Sequence, residues 1–134
     1  MTEHSNTMTE LTQKDIEDIA TFCIKYYNYS EDDRQYIEKI IIAHSTYKTI
    51  IVVRNEKNNR IVAVARWNIL PTGFDAHILD VIIQPRHRHK HLLSAMIYKG
   101  LRMYPQVKYI IFQRHEKNKP FKKIPIHWLI NRRF

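Results

Sequence analysis

The stretch Gln84–Met96, QPRHRHKHLLSAM, alternates Arg86, Arg88 and Lys90 with His87, His89 and His91 and then passes into an apolar run. Cationic side chains at the mouth of a helix suit an anion, because the first helical turn carries backbone N–H groups without partners and the positive end of the helix dipole. A phosphate cradle is therefore one chemistry this stretch offers. A second is metal binding by the three alternate histidines, which would converge only in an extended segment and are joined by no cysteine or carboxylate. A third is nucleic-acid contact, with Arg114, Lys117, Lys119, Lys122, Lys123, Arg132 and Arg133 adding charge and Phe121, Trp128 and Phe134 interleaving as stacking surfaces.

The elements around this stretch follow from its neighbours. Upstream, FDAHILDVIIQ reads as a strand with His77, Leu79, Val81 and Ile83 on one face and Ala76, Ile78, Asp80 and Ile82 on the other. Asp80 is thereby expected to make a structural hydrogen bond on the face opposite His77. Downstream, Leu92–Tyr104 is an amphipathic helix with Leu93, Met96, Ile97, Leu101 and Tyr104 on its apolar side, stopped by Pro105. VKYIIFQR follows as another strand. Earlier, Lys14–Tyr27 and Glu31–Ala43 are helices with acidic first turns and with Thr12 and Ser30 placed to cap them. YKTIIVVRN and RIVAVARWNIL, joined by EKNN, form a hairpin. Helix, helix, three strands, helix, strand excludes a regular βαβ wind. It predicts an α/β fold of the α+β kind: a mixed, mostly antiparallel sheet flanked by helices, with one parallel pair from a right-handed crossover.

The chain has 134 residues, the size of one domain, so residues 1–134 are taken as a single unit with 1–8 as a loose lead-in and 115–134 as a basic tail. No apolar run is long enough to span a membrane, and the polar N-terminus lacks the layout of a secretory signal. With Cys23 as the lone cysteine, on the apolar face of the first helix, the expected setting is the cytoplasm and the expected role of that thiol is packing. Charge is uneven: residues 1–70 carry net −1 and residues 71–134 net +10. The basic half should face something anionic. Neither a nucleophile elbow nor a Gly-rich Walker loop is present, so hydrolase and nucleotide triphosphatase chemistry lack their machinery.

DVIIQPRHRHKHLLSAMI resembles the central motif of the GCN5-related N-acetyltransferases (GNAT): a strand, a Pro, an Arg three residues later, then R/Q-x-x-G-x-G/A opening a helix. MTELTQKDIEDIATF resembles the start of such chains, a short strand running into the first helix, and the likeness covers residues 8–114 in element order. Arg88 stands at the motif's R/Q, His89 and Lys90 at its variable places, His91 at the first Gly, Leu92 at a variable place and Leu93 at the Gly/Ala, so both glycine places are filled by larger residues.

The resemblance implies that acetyl-CoA is the cosubstrate, with no metal. Its pyrophosphate would lie against Arg86, Arg88, His89, Lys90, His91, Leu92, Leu93 and Ser94, and its pantetheine arm along the strand that includes Ile82 and Ile83. It also implies direct attack by an unidentified amine, with His77, eleven residues before Arg88, as candidate base; an imidazole titrating near ~6.5 suits that task. Tyr98, Tyr104 and Tyr109 do not stand where the family keeps its acid, and His115 and Glu116 occupy that region. The tail brings to mind short acetyltransferase-like proteins of bacteriophages. The competing expectation is a non-catalytic member of the fold that uses its basic face to bind a protein or nucleic acid.

Overall fold

Thr12 caps the first helix, as expected. The Thr12 Oγ1 accepts from the Asp15 amide at 3.1 Å while Asp15 Oδ2 accepts from the Thr12 amide at 2.9 Å, a reciprocal capping box. This hydrogen bond holds the Asp15 carboxyl below its ordinary range, with the Arg54 guanidinium, 3.1 Å away, adding to the effect. Helix α1 spans Gln13–Tyr26. Asp33 Oδ2 likewise accepts from the Ser30 amide at 2.9 Å, but the first turn after Ser30 winds as a 3-10 turn over Glu31–Asp33 before α2 begins at Arg34 and runs to Thr46.

The computed structural model describes residues 4–7, 11–88, 92–112 and 122–128. Among these residues six strands form one sheet in chain order: β1 His4–Thr7, β2 Ile50–Asn55, β3 Ile61–Ile69, β4 Asp75–Ile83, β5 Tyr109–Phe112 and β6 Lys122–Pro125. Neighbours are antiparallel except β4 and β5, which are parallel and joined through α3, Leu92–Leu101. The fold class is as the element order predicts. Two segments differ. Part of the expected lead-in is β1, paired with β2, and part of the expected tail is β6, paired with β5.

The sheet separates two apolar layers. On one side α1 and α2 bury Ile16, Ile19, Ile37 and Ile41 against Ile50, Val52, Val64 and Ile82. On the other, Leu92, Met96, Ile97 and Leu101 of α3 lie on Ile51, Ala65, Trp67, Ile78, Ile110 and Ile124. Each fully covered aliphatic side chain contributes about 1.5–3 kcal/mol. On α3 the expected face is shifted: Leu92 fills the core, while Leu93 is 39% exposed. The Tyr104 hydroxyl, just beyond α3, donates to the Tyr47 carbonyl and ties that end to the turn before β2.

The strand β4 departs from simple alternation. Ile78 faces Trp67 and Asp80 faces Arg66, which leaves Leu79 as an extra residue without a partner on β3. Before this bulge Ala76 and Ile78 point to the α3 side; after it Val81 and Ile83 do, so Asp80 and Ile82 turn to the α1/α2 side. His77 and Asp80, expected on opposite faces, share one.

Gly100 lets α3 approach the sheet. A Cβ there would come within 2.4 Å of Trp67 Cη2, and the indole is completely buried. Gly100→Ala should therefore destabilise the protein by about 1–3 kcal/mol through overpacking, despite alanine's better helix propensity. Urea unfolding against the exposed control Lys99→Ala measures it, and equal midpoints would refute this reading.

Candidate functional site

Three features converge around β4: a turn rich in cations at its end, a polar network beside its bulge, and an edge released toward β5. The turn is built by local bonds. Gln84 donates from its amide to the Val62 carbonyl at 2.9 Å, ending the ladder, and Pro85 begins a 3-10 turn through His87. His87 N–H reaches the Gln84 carbonyl at 2.8 Å, and Arg88 folds back so that Nε donates to the Ile83 carbonyl at 3.0 Å. Arg86 remains exposed. The Gln84 amide side chain donates to Tyr26 Oη at 2.9 Å, fastening the end of α1 to this turn. That bond, with Lys25 and Arg86 nearby, lowers the Tyr26 phenol below its usual range.

His89, Lys90 and His91 lie outside the described residues, as do Arg114, His115, Glu116, Lys117, Lys119, Phe121, Arg132, Arg133 and Phe134. Of the remaining expected cofactor contacts, Arg86, Arg88 and Leu93 are at the surface, while Leu92 and Ser94 are buried, Leu92 within the α3-side core. The side chain of Leu92 thus serves packing. The metal reading required an extended segment, but His87 sits in a 3-10 turn, and among the described residues no group of three or more His, Cys, Asp or Glu is placed to hold a metal. No helix of the described residues is long and apolar enough to cross a membrane.

The released edge follows from ladder parity. Hydrogen-bonded pairs alternate along an antiparallel ladder. With Gln84 bonded to Val62, the pairs Ile82–Val64 and Asp80–Arg66 spend their backbone groups on β3. Val81 and Ile83 therefore turn theirs the other way, toward β5. Yet β5 pairs with β4 only from Asp75–Tyr109 to His77–Ile111. Beyond His77 the described part of β5 offers Val81 no partner. Of the two strand residues expected to contact a cofactor, Ile83 turns its backbone to this side, where Arg88 takes its carbonyl, and Ile82 does not.

The network was not read from the sequence as a unit. Arg66 donates from Nε to Asp80 Oδ2 at 2.6 Å, with a second guanidinium nitrogen also 2.6 Å away, and both side chains are largely covered. Arg66 Nη1 lies 3.3 Å from His44 Nε2, and His44 Nδ1 lies 2.7 Å from Thr49 Oγ1, whose hydroxyl donates to the His44 carbonyl. Arginine only donates, so Nε2 accepts and Nδ1 carries the proton: the imidazole is neutral. Burial first, then the Arg66 charge, pushes its pKa below the ordinary value. The signal was a lone arginine between Ala65 and Trp67 in a β-branched strand, which needs a buried carboxylate. Asp80 is structural as expected, on the other face from the one expected.

Around this network lies a small pocket of about 20 Å³, room for roughly one water, lined by Cys23, Tyr29, Ile37, Val64 and Ile82 among others. Burial, reinforced by the Asp80 charge, raises the Cys23 thiol to about 11, so it is inert packing. The same two causes raise Tyr29.

Residues 13–120 match the model of the family described as the acetyltransferase (GNAT) family. No curated protein sequence matches the chain. Among solved structures it is similar to a GCN5-related N-acetyltransferase from Kribbella flavida (13% identity, TM-score 0.64), with 87% of this chain covering 32% of that one. It is similar to the PaiA N-acetyltransferase of Thermoplasma acidophilum in complex with coenzyme A (12%, TM-score 0.61, 87% and 82% of the two chains). It also resembles diaminobutyrate acetyltransferase EctA of Paenibacillus lautus in complex with L-2,4-diaminobutyric acid and coenzyme A (12%, TM-score 0.63, 84% and 66%). The chain thus spans a third of the first and two thirds of the third. At these identities the likeness is one of fold.

The lowered His44 pKa sets a pH dependence. Because the folded value lies below the unfolded value of ~6.5, the unfolded chain takes up a proton that the folded chain refuses as pH falls through that range. This group's contribution is present above ~6.5 and is lost progressively on acidification toward the folded pKa. The stability difference between the protein and His44→Gln should accordingly be larger at about pH 7.5 than at about pH 5.5; a difference constant with pH would show that His44 is not held neutral.

Proposed function

The chain belongs to the acetyltransferase (GNAT) family, and from that premise we propose that it moves an acetyl group from acetyl-CoA to the nitrogen of an amine by direct attack. The observation that carries this reading is that, among the described residues, β5 pairs with β4 no further than His77–Ile111, while the backbone of Val81 turns away from β3 on that side and β4 ends at a cationic turn. A pantetheine arm is a chain of amides and suits such an edge, since it can take the place of a missing strand. Arg86, exposed at that turn, supplies charge for a pyrophosphate. Arg88 acts on the same turn chiefly by holding the Ile83 carbonyl. The residues present therefore fit the cosubstrate.

When bound, acetyl-CoA supplies a thioester carbonyl. His77 stands where the β4–β5 pairing ends, on the α1/α2 face, and we assign it the proton that the incoming ammonium must shed, directly or through a water. The freed amine then forms the C–N bond as the C–S bond breaks, and the sulfur leaves to take up a proton. Asp80, one step along the same face, is held by two arginine nitrogens and fixes the strand beside His77. The two neighbours solved with coenzyme A, one of them also with an amino acid substrate that carries a free amine, support a ligand pair of this kind.

Acetyl-CoA at about 100 times its Kd should stabilise the folded chain by about 2.7 kcal/mol, seen as a rise in Tm. His77→Gln should retain that rise and lower kcat with a responsive amine by about 10²–10⁴-fold. Absence of any acetyl-CoA effect on Tm would sink the reading as a whole, whereas an unaltered kcat would remove His77 alone from it.

A further inference from the structure

Ladder pairing lines up one row of residues across four strands: Asn68 on β3 faces His77 on β4, His77 faces Ile111 on β5, and Ile111 faces Lys123 on β6. Partners in a row share a face. Ile110 and Ile124 bury their side chains on the α3 side, so Ile111 and Lys123 project to the opposite side, that of His77. Helices α1 and α2 lie mainly over β2, β3 and β4, and at the β5–β6 end Tyr109 and Lys123 are exposed.

The Lys123 side chain does not run out to solvent. It crosses β5 with its ammonium 4.6 Å from the centroid of the Tyr109 ring and ends 3.1 Å from Asp75 Oδ1 on β4. Asp75 is almost fully buried, its other oxygen accepts the Thr72 hydroxyl at 3.0 Å, and it lies two residues before His77 on the same face. A primary amine of the chain is thus held at the Asp75–Tyr109 pair, two residues before the candidate base on β4 and on the same face. Half of that side chain remains exposed, so it has room to swing.

We propose that Lys123 is an acetylation site of the chain itself, modified in cis by its own active site. This rests on the acetyl-transfer reading. Nζ gives up a proton to His77 or water and attacks the thioester carbon; the new bond is an amide C–N, the bond that breaks is C–S, and the sulfur leaves as thiolate and is protonated to free coenzyme A. No oxidant or further reactant enters. Acetylation removes the charge from Lys123, which ends the Asp75 ion pair and the contact with Tyr109. The neighbouring lysines differ in placement: Lys122 pairs with Phe112 and so projects to the α3 side, and Lys108 sits 5.0 Å above Phe74 ahead of β5.

The full chain incubated with acetyl-CoA and no other amine should gain one acetyl group, mapped by mass spectrometry to Lys123. Occupancy should exceed that of Lys108 and Lys122 by about tenfold or more, because a held amine reacts at a high effective molarity. The rate should be independent of protein concentration and slower in His77→Gln. Lys123→Arg, which can keep the Asp75 pair, should lose the modification with its Tm retained. Equal labelling of the three lysines, or a rate rising with protein concentration, overturns the proposal. If acetyl-CoA raises Tm and Lys123 stays unmodified, this inference alone falls; if acetyl-CoA has no effect on Tm, the acetyl-transfer reading falls with it.

Discussion

One extra residue in β4 governs how the rest of the site is arranged. Leu79 has no partner on β3, so every side chain after it is turned over relative to an unbroken strand. Without the slip, Asp80 and Ile82 would join Ile78 under α3, and a carboxylate would enter the densest part of the core beside Trp67. With it, Val81 and Ile83 continue the α3-side layer and Asp80 meets Arg66 on the other face. The bulge also decides which backbone groups are spent on β3 and which are turned toward β5. Side-chain chemistry and ligand edge are thus two results of one irregularity.

The Arg66–Asp80 pair is the cost of that arrangement. Both groups leave water, and such burial is offset only when geometry is good and the remaining donors are occupied. Here two guanidinium nitrogens meet one carboxylate oxygen at 2.6 Å, and a third is taken by a neutral His44 that Thr49 holds in the accepting tautomer. A protonated imidazole at the same place would face the guanidinium with like charge, which explains why His44 is pushed toward neutrality. The network also links α2 to β3 and β4, so the helix layer is keyed to the same strand that carries His77. Tyr26 and Gln84 make a second such link, from α1 to the turn.

Much of the framework was legible in the sequence because it rests on local rules. Thr12 before an acidic first turn announced a helix cap, the β-branched runs around Ile51 and Val64 announced strands, and the basic run between strand and helix announced the turn. The helix-face reading of α3 erred by one residue, since Leu92 and Leu93 are interchangeable by hydropathy and only packing on Trp67 decides between them. The bulge was hidden for a related reason. ILDVII is apolar on both faces, so its pattern looks regular whether or not a residue is inserted. Strands β1 and β6, HSNT and KKIP, are short and polar edge strands, and they exist because a neighbour offers hydrogen bonds, a fact their own residues do not encode.

The remaining question is why the sheet should open where it does. All its other pairs are antiparallel, but β4 and β5 must be parallel, because α3 returns the chain to the same end of the sheet before β5 begins. Among the described residues that pairing is three residues deep, from Asp75 to His77, although β4 runs on to Ile83. The chain leaving β4 at Gln84 is meanwhile held by its bond to Val62 and turned at Pro85, so the far half of β4 stays fixed to β3, while the described part of β5 does not reach along its other edge. A strand edge with one rigid side, where among the described residues the backbone of Val81 is turned away from β3, and which ends in cationic side chains, suits a long amide-bearing anion. The base, the ion-paired carboxylate and the amine of Lys123 all lie on one face of the sheet.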